Sequence, residues 1–128
     1  MNVDKQVDYW RIGSDQDWKV AVDLINREEH RHGLFLLHLA MEKLLKALVC
    51  RVTKEFPPRT HNLLTLRESA ELELSLDWLE LLGRINALCL LGRYPDDPME
   101  TIPKPVARQY ITEAEKVRQW LLQKLSGS

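Results

Sequence analysis

Apolar residues recur along most of this chain at intervals of three and four, the period of an α-helix, and nowhere alternate strictly with polar ones. The first such stretch covers about residues 9–28, with Trp10, Ala21, Leu24 and Ile25 on one stripe and Trp18 at its edge. Asp17 falls inside that stripe rather than opposite it. A polar break over 26–33 leads to the second stretch, about 34–53, where Leu34, Leu37, Met41, Leu44 and Leu48 keep a 3-4-3-4 spacing with Leu45 and Val52 alongside. This is the strongest pattern in the chain and predicts the central core helix. Phe56-Pro57-Pro58 ends it, because proline cannot continue a helix and biases the residue before it toward extended geometry.

Thr60 is the expected cap of a short third helix carrying Leu63, Leu66 and Ala70. Asp77 and Glu80 form an acidic capping box for a helix to about Leu91, with Trp78, Leu81, Leu82, Ile85, Leu88 and Cys89 on one stripe and Gly92 as its stop. Residues 93–105 hold four of the six prolines and read as loop. Val106, Tyr110, Ala114, Val117 and Leu121, with Lys124 or Leu125, mark the last helix. The pattern predicts an all-α protein: an up-and-down antiparallel bundle of four long helices and one short one. The thirteen residues of 93–105 exceed the usual bundle connection, and long loops are often functional.

Composition narrows the class. At 128 residues the chain is one domain, expected to span 1–128 with residues 1–7 and 126–128 frayed, and large enough to bury a core unaided. Eighteen basic and nineteen acidic residues give a net charge of -1, which excludes bulk coating of nucleic acid and leaves only a local patch for such contacts. Cys50 and Cys89 read as two small buried apolar residues in a reducing, cytoplasmic setting. No run is apolar and long enough for a membrane span, and no leader segment is expected.

Three constellations carry chemistry. His38, Glu42 and Lys46 stand four residues apart along one side of the central helix, at the border of its apolar stripe. They are either a stabilising edge ladder or a polar row facing a cleft; a charge at a core margin is costly and tends to be paired or used. Arg59 and His61 flank the start of the third helix, where free backbone N–H groups attract anions, although Thr60 and Asn62 can equally satisfy that start. Arg93, Tyr94 and Asp96 open the long loop and offer a guanidinium, an aromatic face and a carboxylate for a nucleotide, or simply a turn. His30 and His32 have no completing zinc ligands, and no phosphate loop, nucleophile elbow or HExxH is present, so no metal and no cofactor is expected.

Taken in order, the block from Gly33 to Leu48, the block Pro57-Pro58-Arg59-Thr60-His61-Asn62-Leu63 and the block Arg93-Tyr94-Pro95-Asp96, with Trp10 and Asp17 before them, resemble the HEPN domain family. The resemblance spans nearly the whole chain. It implies an all-helical, commonly dimeric fold, encoded in many members beside a minimal nucleotidyltransferase as a toxin–antitoxin pair. Some members are metal-independent ribonucleases that use an Arg, four to six residues, then a His near the start of a late helix. Here no histidine follows Arg93, and Arg27 with His32 has that spacing only between the first two helices. The resemblance therefore implies the non-ribonuclease branch: a homodimeric binding or interaction module, holding a nucleotide or serving a separate nucleotidyltransferase. The ligand candidates are His38, Glu42, Lys46, Arg59, His61, Arg93, Tyr94 and Asp96, with no catalytic residue assigned. The alternatives are a ribonuclease toxin that joins His61 to Arg93, and a purely structural dimer with no ligand.

Overall fold

A computed structural model describes residues 1–91 and 102–127, with the side chains of Leu90 and Leu91 left aside. Five helices follow in order: α1 (Val3–Asn26), α2 (His30–Thr53), α3 (Leu63–Ser69), α4 (Leu76–Leu91) and α5 (Lys104–Gly127), with no strand among the described residues. Ion pairs and ring contacts fix their directions. Asp4 meets Arg51 at one end of the α1–α2 pair and Ile25 meets Gly33 at the other, so these helices are antiparallel. Lys104 reaches Glu28 at the start of α5 and Arg118 reaches Asp15 further along, so α5 runs antiparallel to α1. Trp78 near the start of α4 packs edge-on against Trp120 near the end of α5, at 5.7 Å between centroids. The four long helices therefore alternate in direction, and the chain is the all-α up-and-down bundle its periodicity predicts.

Helix α2 is the centre of that bundle. Leu34, Leu37, Met41, Leu44 and Leu48 are all buried, and every residue from Leu44 to Cys50 is buried as well. A helix covered on nearly all sides must be flanked by neighbours on nearly all sides. The α1–α2 turn is tight because Gly33 lies directly on Ile25; a Cβ there would collide with Ile25 Cγ1 and come within 3.2 Å of the Ile25 backbone nitrogen. On α1 the polar side chain of Ser14 is buried inside the stripe and donates to the Ala40 carbonyl at 2.6 Å, bringing the two backbones close.

Several local expectations shift. Helix α1 begins at Val3, capped by the Asn2 side chain on Lys5 N–H, so residues 3–7 belong to the helix and Val7 is core. Its buried stripe is Val7, Ser14, Trp18, Ala21 and Ile25; Trp18 is central, and Trp10 and Leu24 lie at the margin. Val52 is exposed, because it faces an open groove with Leu72 and Trp120 rather than the core. The cap of α3 is Asn62, whose Oδ1 accepts from Leu64 and Thr65 N–H, while Thr60 Oγ1 only turns the chain into it. Ser75, not Asp77, caps α4, its hydroxyl accepting from Trp78 N–H at 3.2 Å. Helix α5 starts at Lys104, with Pro105 in its first turn, where the missing N–H costs nothing. Ala107 is buried in place of Val106. Gly92 lies outside the described residues. No described helix is long and apolar enough to cross a membrane.

Candidate functional site

The spacing of four along α2 stacks His38, Glu42 and Lys46 on one side, and that side is turned inward. All three are buried, Glu42 at 3% and Lys46 at 7% exposure. A carboxylate that deep must be compensated. Glu42 Oε2 accepts from Lys46 Nζ at 3.0 Å, and Oε1 accepts from His61 Nδ1 at 2.9 Å. His38 Nδ1 stands 3.8 Å from the same Oε1. Lys46 also lies 5.1 Å over the ring of Trp10 from α1, which gives the ammonium a second stabilising face.

The loop before α3 brings His61 to this carboxylate. The Thr60 N–H bonds the Pro58 carbonyl at 2.9 Å and Asn62 N–H bonds Thr60 Oγ1 at 3.1 Å, so the chain turns once before the helix. His61 is thereby held by one ring nitrogen against a buried carboxylate while its side chain is 70% exposed. Its Nε2 is the ring nitrogen left for the outside. The pair joins a buried acid to a surface imidazole, which orients the ring with Nδ1 toward the carboxylate.

Asn86 of α4 closes the cluster and was not singled out by the sequence pattern. Its Oδ1 accepts from the Leu63 N–H at 3.0 Å and from His38 Nε2 at 3.2 Å, and its Nδ2 donates to Asn62 Oδ1 at 2.9 Å. One amide thus ties α2, the start of α3 and α4 together. The available signal was its position four residues after Leu82, at the edge of an apolar stripe. Burial pushes His38 below the ordinary imidazole range; the charge of Glu42, the Asn86 bond and the His61 backbone oppose that, and the charge of His61 adds to it. His38 is therefore the neutral member of the cluster.

Of the candidates from the sequence, His38, Glu42, Lys46 and His61 come together. Arg59 is exposed and stays outside the cluster. Arg93, Tyr94 and Asp96 lie outside the described residues. Arg27 pairs with Asp23 at 3.3 Å and follows the end of α1, while His32 is in the first turn of α2, so their spacing spans an ordinary helix connection. His30 Nδ1 donates to the Ile102 carbonyl at 3.2 Å. Among the described residues no group of three or more His, Cys, Asp or Glu is arranged for a metal. A groove of about 830 Å³ opens at the Arg51 end of the bundle, lined by Arg51, Leu72, Trp120 and Lys124, and is separate from the cluster.

The described residues form a small α-helical bundle whose central helix carries a buried His-Glu-Lys row reaching an exposed histidine. The model of the HEPN domain matches residues 7–125, and the chain belongs to that family. Comparison with curated proteins and with solved structures gave no match.

Proposed function

We propose that this chain is a HEPN binding and interaction module that holds a nucleotide and serves, as a cytoplasmic homodimer, a separate minimal nucleotidyltransferase in a toxin–antitoxin-like pair. The observation that carries the reading is the bond between buried Glu42 and exposed His61. A bundle that needed only stability would fill the Glu42 position with an apolar residue, since a buried ion pair is a weak source of stability. Instead the carboxylate, itself bonded to Lys46, holds an imidazole at the surface, and in the protonated ring its Nε2 can donate to a phosphate oxygen. Arg59 and, from the sequence, Arg93, Tyr94 and Asp96 are the further ligand candidates of this reading.

Isothermal titration of the purified chain with nucleoside triphosphates tests it. Saturable binding that His61→Ala abolishes supports the reading, and no heat at millimolar ligand refutes it. The carboxylate-held imidazole also favours one second reading, a metal-independent ribonuclease with His61 as the proton-transfer group. RNA degradation that survives a chelator and disappears in His61→Ala would replace the first reading with that one.

A further inference from the structure

One side of the bundle lacks a covering helix at the Arg51 end. Helix α3 ends at Ser69 and α4 begins at Leu76, so residues 70–75 pass there as an irregular connection. Leu48 and Val52 stand four residues apart on α2, and Trp120 and Lys124 stand four apart on α5. The groove of about 830 Å³ is lined by both pairs, with Leu72 of the connection as a third apolar wall. Val52 is 40% exposed, although every residue of α2 from Leu44 to Cys50 is buried. An apolar floor with a charged rim is the pattern of an interaction site.

The rims carry opposite charge. Arg51 and Lys124 come from α2 and α5, while Glu71 and Glu73 stand on either side of Leu72. Glu71, Glu73 and Lys124 have no side-chain ion pair among the described residues. The walls are also fixed. Arg51 donates to Asp4 at 3.2 Å. Glu71 adopts a left-handed conformation at φ 57°, its N–H bonds the Glu68 carbonyl at 3.0 Å, and the next N–H, of Leu72, bonds the Arg67 carbonyl at 3.2 Å. Trp120 meets Trp78 edge-on and has Lys124 Nζ over its ring at 5.1 Å. An occupant does not have to order these walls first, which removes a cost of binding.

A gap between two helix surfaces is filled by the side-chain ridge of a third helix. Rims of opposite sign select a helix with one acidic and one basic flank, because a helix charged with one sign would set one of its flanks against a like charge. We propose that this groove docks an amphipathic helix of another polypeptide. Its apolar side rests on Leu48, Val52, Leu72 and Trp120, its acidic flank follows Arg51 and Lys124, and its basic flank follows Glu71 and Glu73. The groove lies apart from the Glu42–His61 pair, so this docking does not depend on the nucleotide reading.

Fluorescence anisotropy with a labelled, designed helical peptide of about sixteen residues tests it. The peptide carries leucine at the helical period, glutamate along one flank and lysine along the other. Two control peptides keep the leucines and carry glutamate alone or lysine alone. The full chain binds the mixed peptide in a saturable way and each control about threefold more weakly or worse. Val52→Glu puts a charge on the floor at an exposed position and weakens binding of the mixed peptide about tenfold at an unchanged melting temperature. Glu71→Lys with Glu73→Lys makes both rims basic, and the glutamate-only peptide then becomes the tightest of the three. Absence of saturable binding at about 100 micromolar overturns the proposal, as does equal binding by Val52→Glu, equal binding of the three peptides, or an unchanged order of peptides in the double lysine variant. A groove that takes a small apolar dye, lost in Val52→Glu, but no peptide is a small-molecule pocket, and the proposal fails. Nucleotide titration of His61→Ala and peptide titration of Val52→Glu succeed or fail separately.

Discussion

Replacing Glu42 by alanine separates a paired buried charge from an unused one. In the native cluster Glu42 is 3% exposed and holds Lys46 at 3.0 Å and His61 at 2.9 Å. The His61 bond ends on an exposed ring, and its loss adds little. Lys46 is different: at 7% exposure, its ammonium would keep only the Trp10 ring as partner. Breaking one partner of a buried pair costs about 3–5 kcal/mol. For a domain of this size each kcal/mol moves the melting temperature by roughly 3–5 °C, so Glu42→Ala should melt about 10–20 °C below wild type. The companion double variant Glu42→Leu with Lys46→Met removes both charges at similar volume and should recover most of that loss. Thermal denaturation followed by circular dichroism reads all three proteins. A single-variant loss under about 2 °C, or a double variant no better than the single one, would show that the Glu42–Lys46 pair is not buried as described.

Stability should fall on mild acidification through His38. Its folded pKa lies below its unfolded value, so the unfolded chain binds the extra proton first; the stability is complete above the unfolded value of about 6.5 and is lost as pH falls toward the folded one. Urea melts at pH 5 and pH 7.5 should show this difference shrinking in His38→Gln. Gly33→Ala, which forces a Cβ onto Ile25, should cost about 1–3 kcal/mol in the same assay; an unchanged midpoint would mean that the α1–α2 turn relaxes freely. Asn86→Ala removes bonds to His38, Leu63 and Asn62 together and should destabilise by about 2–3 kcal/mol, against about 1 for the cap variant Asn62→Ala. Sedimentation should find a species of twice the 15.0 kDa chain; a single 15.0 kDa boundary at micromolar concentration contradicts the homodimer.

The bundle was legible because leucine spacing on α2 and α4 is regular and nothing else in the sequence competes with it. The row on α2 was equally legible, since a spacing of four on a helix fixes which side chains share a side. Its depth was not. Periodicity placed the row at a margin, but Trp10 lies against Lys46 and His61 meets Glu42, and those come from sequence positions 36 residues before the lysine and 19 residues after the glutamate. Asn86 stayed hidden for a related reason: an amide beside an apolar stripe looks like surface until α3 arrives to use both its oxygen and its nitrogen. Caps were misplaced by two residues where several capping side chains cluster, as with Thr60 and Asn62 or Ser75 and Asp77, because each alone could serve.

His61 is the outward end of a buried carboxylate. Long-range proton–nitrogen NMR of the imidazole rings, during titration with a nucleoside triphosphate, observes that atom directly. The prediction is a His61 ring with a protonated Nδ1 held by Glu42, an Nε2 resonance that moves in a saturable way with ligand, and a neutral His38 that barely responds. A His61 ring unaffected by ligand, with Nδ1 free of its proton, would contradict it.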